Sequence, residues 1–196
     1  MLSFEHTAFE YLLVLRLPRE VERQVTYFKD VFQDRYNFPN ALITYPHLTL
    51  LKFRQFRSYE ELIVNRLKQM AGYVNPFQIT LSGFSLFENV FFLNVTTRSL
   101  FLDIVYKQRS LLLPLLCAGS NYYHFVHQPH VTIARALLKN QSQEVRRTWT
   151  MHSYEADFTV SDMLLIKRGA PYESYKPVCI IRFKGHKSYP KQGRLF

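Results

Sequence analysis

At 196 residues, 47% of them hydrophobic and 20% charged, the chain has ordinary globular composition, enough for one large domain or two intimate lobes around a sizeable core. Two cysteines, Cys117 and Cys179, each in an apolar setting, read as buried thiols of a reducing compartment, and no unbroken apolar run is long enough to span a membrane. The formal charge of +10 creates a field that draws polyanions such as nucleic acid or nucleotides, and a start without a basic, signal-like segment points to the cytoplasm.

Residues 10–17 (EYLLVLRL) form a compact apolar run that predicts a strand. Pro18 then opens a helix to about Tyr36, with Val21, Val25, Phe28, Val31 and Phe32 at helical spacing. A loop over 38–45 delivers a strand at 47–54. Ser58 is placed to cap a second helix that runs to Gly72, with Glu60 and Glu61 suited to its positive end. Residues 77–87 alternate as a strand and turn at Glu88-Asn89. The order then repeats: a strand at 90–97, a helix from Ser99 to about Cys117, a loop over 119–128, a strand at 129–137 and a helix over 140–152. Strands at 157–167 and 178–184 close the chain. The expected fold class is α/β (α+β): a bilobal, duplicated single domain over 1–196, with two mainly antiparallel sheets facing a central cleft and helices outside. The pseudo-repeats cover about 9–87 and 90–184, Phe77 and Phe158 open matching strands, and 185–196 form a basic, flexible tail.

Two segments nearly repeat each other, Pro46-His47-Leu48-Thr49-Leu50 and Pro129-His130-Val131-Thr132-Ile133. In a strand each His shares a face with its Thr, opposite the aliphatic residues. Strict alternation extends the first polar face to Leu51 and Phe53 and the second to Ala134 and Ala136, a small residue at Ala134 leaving room for a ligand. Histidine titrates near neutral pH, so two imidazoles around one substrate can divide the work of cleaving a phosphoester. One removes a proton from the attacking oxygen and the other protonates the departing one. Each Thr hydroxyl can hold a phosphoryl oxygen as charge develops, and the scheme requires no metal.

These residues resemble the paired His-x-Thr signature of the two-histidine phosphoesterase superfamily, and His-Val-Thr-Ile-Ala-Arg at 130–135 is similar to its 2′-5′ RNA ligase or cyclic phosphodiesterase branch. The resemblance implies a bilobal α/β fold with a pseudo-twofold axis and metal-independent action on 2′,3′-cyclic phosphates of RNA ends or nucleotides. It implies that His47, Thr49, His130 and Thr132 are the catalytic residues. Leu51-Lys52-Phe53-Arg54 departs from the apolar, glycine-ended continuation of many members.

Around this centre, Phe53, Tyr122, Tyr123, His127, Lys167 and Arg168 are candidate substrate-binding residues. The tyrosines could stack on a base, and Lys167 and Arg168 could meet phosphates. His124, His127 and His130 are spaced by threes, but Pro129 argues against a helix and the spacing alternates faces in a strand, so no metal or other cofactor is expected. The expected activity is hydrolysis of 2′,3′-cyclic phosphate by a monomer with no membrane partner, on an RNA or nucleotide bearing that group. Which histidine is the base stays open. RNA ligation in the reverse direction and a non-catalytic module that binds nucleotides or RNA ends are the alternatives.

Overall fold

In the computed structural model, residues 7–37, 45–118 and 122–186 are described; the tail over 187–196 and parts of the predicted loops lie outside them. The described chain builds nine strands and four helices: β1 (Ala8–Arg16), α1 (Arg19–Tyr36), β2 (His47–Phe56), α2 (Glu60–Ala71), β3 (Phe77–Phe87), β4 (Val90–Val95), α3 (Arg98–Cys117), β5 (Tyr123–Phe125), β6 (His130–Ala134), α4 (Lys139–Thr148), β7 (Glu155–Val160), β8 (Asp162–Arg168) and β9 (Lys176–Arg182). The class is mixed α/β, as the sequence predicts, with every strand pairing antiparallel in one curled sheet.

The two expected sheets are the halves of that sheet. Its order is β7-β3-β4-β6-β2-β1-β8-β9, and the halves join where β6 meets β2 through the pair Leu48 and Val131. β1 lies inside its half, so five consecutive residues, Tyr11 to Leu15, are buried, which is why its sequence reads as a continuous apolar run rather than an alternation. On the outer face α1 packs against β6 and α4 against β3, while α3 packs against β2 and α2 against β9. Val21, Val25 and Phe32 form the buried stripe of α1, and Phe32, Phe84, Phe91 and Trp149 stack together beneath the second half.

Several expectations need correction. Phe77 and Phe158 do not open equivalent strands: β3 and β7 are hydrogen-bonded neighbours with Phe77 opposite Val160 and Ile79 opposite Phe158. The predicted strand at 157–167 is two strands, β7 and β8, meeting at Ser161. Ser58 does not cap α2; it lies in a 3-10 turn, Arg57–Tyr59, that leads directly into the helix. β5 occupies part of the predicted loop because Tyr123 to Phe125 pair with β2 from Phe53 to Leu51. Cys117 is exposed and Cys179 only half-buried, since their apolar neighbours in sequence belong to other faces of α3 and β9.

Candidate active site

The pairing that joins the half-sheets also builds the site. With Leu48 opposite Val131 in an antiparallel ladder, one further step each way sets His47 opposite Thr132 and Thr49 opposite His130. Leu48 and Val131 are fully buried toward the helices, so the His and Thr side chains share the concave face. Directly opposed residues on one face lie about 5 Å apart, and diagonal ones about 7–8 Å, so the two histidine positions sit on a diagonal of the ladder. All four groups line one cavity of about 600 Å³.

Both rings are oriented in the same way. His47 Nδ1 lies 2.6 Å from the carbonyl of Tyr45, and His130 Nδ1 lies 2.9 Å from the carbonyl of Gln128, each two residues upstream. A carbonyl only accepts, so each Nδ1 carries the proton and leaves Nε2 for chemistry in the cavity. Pro46 and Pro129 precede the strands and give up no ladder bond there.

Burial lowers the pKa of His47 to about 4: the bond to Tyr45 opposes the shift, while Lys29, Arg135 and His130 add like-charge repulsion. His130 is also lowered by burial and by Arg135, with its bond to Gln128 opposing. Lys29, buried on α1, is itself pushed down to about 8 by desolvation and by Arg135. No Asp or Glu side chain lines the cavity among the described residues, so its walls are cationic or neutral.

Beyond each Thr the strands break their alternation. In the β1–β2 ladder Leu13 faces Leu51 and Val14 faces Thr49, leaving Leu50 as an extra residue; in the β4–β6 ladder Phe91 faces Ala134 and Phe92 faces Thr132, leaving Ile133 extra. An extra residue turns everything after it to the other face. Leu51 and Ala134 therefore enter the core, while Lys52 and Arg135, each three residues past a Thr, enter the cavity. Arg135 donates to Thr132 Oγ1 at 3.0 Å.

The bulges decide two candidates. Phe53 is fully buried and stacked on Tyr11 at 4.9 Å, so it does not line the cavity, and Ala134 leaves no ligand space there. Tyr123, paired opposite Phe53, packs edge-on against Phe125 rather than in the cavity. Lys167 points to the helix side, bonded to Glu60 and lying over the Phe9 ring, because neighbouring strand residues face opposite ways; Arg168 does line the cavity. His127 and His124 line it too, whereas Tyr122 sits outside in an adjoining groove with Glu10, Arg54 and Phe56. Among the described residues no three His, Cys, Asp or Glu side chains are grouped to hold a metal ion.

Sequence reasoning missed Lys52, Arg135, Tyr45 and Tyr175 as cavity residues. The first two carried a signal, since the repeat is longer than His-x-Thr and reads His-x-Thr-x-x-Lys or Arg in both copies. A second compartment of about 350 Å³ opens beside His47, sharing Tyr45 and Tyr175 with the first and floored by Val14, Leu164 and Ile166.

The family model of the 2′-5′ RNA ligase superfamily matches residues 17–171. No curated protein matches the chain in sequence. Among solved structures, TT0787 of Thermus thermophilus superposes with a TM-score of 0.68 at 17% identity, covering 90% of this chain and 98% of that one. E. coli LigT in complex with 3′-AMP gives a TM-score of 0.64 at 18% identity over 90% and 98% of the two chains, and LigT with NADP+ gives 0.62 at 16% identity over 90% and 99%. These similarities show a shared fold. No helix among the described residues is long and apolar enough to cross a membrane.

Proposed function

The chain belongs to the 2′-5′ RNA ligase superfamily, and from that premise we propose that it is a metal-independent phosphodiesterase opening 2′,3′-cyclic phosphates of RNA ends or nucleotides. The observation that carries this reading is the diagonal of two imidazoles, each with Nδ1 tied to a backbone carbonyl and Nε2 left for one cationic cavity. His47, held neutral first by burial and then by the positive charges of Lys29, Arg135 and His130, serves as the base. It takes a proton from water at Nε2 as the water oxygen bonds to phosphorus. The bond from phosphorus to one ribose oxygen breaks, and His130 Nε2 delivers a proton to that oxygen. An anionic phosphate beside His130 favours the protonated imidazole this step needs.

Thr49 and Thr132 are placed to donate to the non-bridging oxygens where negative charge develops, and Arg135, within the same cavity, donates to Thr132 Oγ1 and orients it. The apolar compartment beside His47 suits a nucleobase, and the nucleotide complexes of the LigT fold relative support a nucleotide in this cavity. The device shared by the two His-x-Thr segments also supports pseudo-repeats over about 9–87 and 90–184 within one bilobal domain, with β3 of the first and β8 and β9 of the second exchanged between the half-sheets.

The test is turnover of 2′,3′-cyclic nucleotides and cyclic-ended RNA by the purified protein in chelator, beside His47→Ala and His130→Ala. The expected result is a single phosphomonoester product from the wild-type protein and a loss of about 100-fold or more in each variant. Binding without turnover, or turnover that both variants retain, contradicts the assignment.

A further inference from the structure

Resting on that phosphodiester chemistry, we propose that Lys52 and Arg168 form a second phosphate subsite, so that the preferred substrate carries a phosphate on the 5′ side of the ribose bearing the cyclic phosphate. Both cations line the cavity and both are fastened to one carboxylate. Glu10 accepts from Lys52 Nζ through Oε2 at 2.9 Å and from Arg168 Nε through Oε1 at 2.8 Å, and Tyr175 donates its hydroxyl to the same Oε1. Two positive charges against one negative leave a net charge of one toward the cavity. The carboxylate itself belongs to the adjoining groove.

Burial alone would raise the pKa of Glu10, but the bonds from Tyr175, Lys52 and Arg168 outweigh it and keep the group ionised, which fixes the cations in place. The Arg168 guanidinium also lies 4.6 Å over the Tyr175 ring, and its Nη1 donates to the carbonyl of Pro171 at 2.6 Å. One carboxylate cannot neutralise both cations, so the three donors converging on Glu10 hold an unbalanced positive charge in a fixed place at the cavity wall.

Position gives the subsite its register. Discounting the bulged Leu50, Lys52 lies two strand positions beyond Thr49 on the same face, about 6–7 Å along β2. That is comparable to the separation of successive phosphates along a nucleic acid strand. A cyclic phosphate held between His47 and His130 therefore places the 5′ phosphate of the same nucleotide at Lys52 and Arg168. Past them the groove continues to Glu10, Arg54 and Tyr122, where the Lys52 ammonium lies 5.9 Å from the Tyr122 ring. The equivalent cation in the other half, Arg135, is engaged with Thr132, so the two halves use the same bulge for different ends.

The experiment compares kcat/KM for a nucleoside 2′,3′-cyclic phosphate, the same nucleoside with a 5′ phosphate, and a dinucleotide ending in the cyclic phosphate. The wild-type protein is expected to favour both 5′-phosphorylated substrates by about tenfold or more, mainly through KM, and to lose that advantage as salt is raised. Lys52→Gln should bring the ratio to within about twofold of unity, while Lys52→Arg keeps it. An advantage confined to the dinucleotide and unchanged in Lys52→Gln, or an active wild-type protein with no advantage, overturns the subsite and leaves the proposed function standing. No turnover of any of the three substrates overturns the proposed function and the subsite with it.

Discussion

The two His-x-Thr segments are near copies in sequence and in backbone, yet their surroundings differ. Each follows a proline, ties its His Nδ1 to the carbonyl two residues back, and bulges one residue after its Thr. In the β6 copy the cation freed by the bulge, Arg135, turns back onto Thr132; in the β2 copy Lys52 turns away to Glu10. His47 feels the positive charges of Lys29 and Arg135, and beside it the first half-sheet offers an apolar floor. On the second half-sheet Phe92 lies 5.1 Å from the His130 ring, and Asn94 donates to Ser85 at 2.8 Å. A symmetric backbone thus supplies two equivalent nitrogens, and under the proposed function the unlike residues around them are what would divide acid from base and base-binding from phosphate-binding.

The largest effects should follow loss of either imidazole. His47→Gln and His130→Gln are each expected to lower kcat/KM by about 10²–10⁴-fold with thermal unfolding little changed at pH 8, as measured by steady-state kinetics and circular dichroism. A variant that keeps full activity breaks the equivalence of the two copies. Next come the hydroxyls: Thr132→Val should cost about 10–10²-fold in kcat. Arg135→Gln should cost less, and the double variant should cost less than the product of the two, because the pair bonded at 3.0 Å acts as a unit.

A smaller effect concerns the charge asymmetry. Removing the buried positive charge in Lys29→Met should raise the His47 pKa and move the acid limb of the kcat/KM profile upward, whereas an unmoved limb would mean that Lys29 does not set this asymmetry. Stability carries the same sign. The His47 pKa is about 4 in the folded protein and about 6.5 when unfolded, so the unfolded chain binds more protons between those values. The contribution of His47 to stability is complete above pH 6.5 and falls as the pH drops toward 4, and the slope of Tm against pH over that window should be shallower in His47→Gln. Phe53→Ala, in contrast, should lower Tm without a specific effect on the pH profile, since its ring packs on Tyr11 inside the core.

Much of this was legible in the residues. Apolar periodicity places α1 at its observed start and end, and β3 over its full span, because each packs one side against the core. The His and Thr pairs are legible because their alternation is intact up to Thr49 and Thr132. Past those points the periodic argument fails, since an inserted residue reverses faces without changing composition, and Phe53 and Ala134 exchange places with Lys52 and Arg135. The misplacement of Lys167 has a different cause: adjacent basic residues on a strand look alike in sequence, and only the location of Glu60 and Glu10 on opposite sides of β8 separates them. That β3 pairs with β7, and β1 with β8, depends on long-range contacts that local patterns do not encode.

The division of labour between the two imidazoles is tested most directly with cyclic substrates in which each bridging ribose oxygen in turn is replaced by sulfur, which departs as a thiolate without needing a proton. The isomer whose sulfur is the departing atom should restore His130→Ala to within about tenfold of the wild-type rate and leave His47→Ala impaired. Rescue of His47→Ala instead, or of neither variant by either isomer, would contradict the assignment of base and acid to this pair.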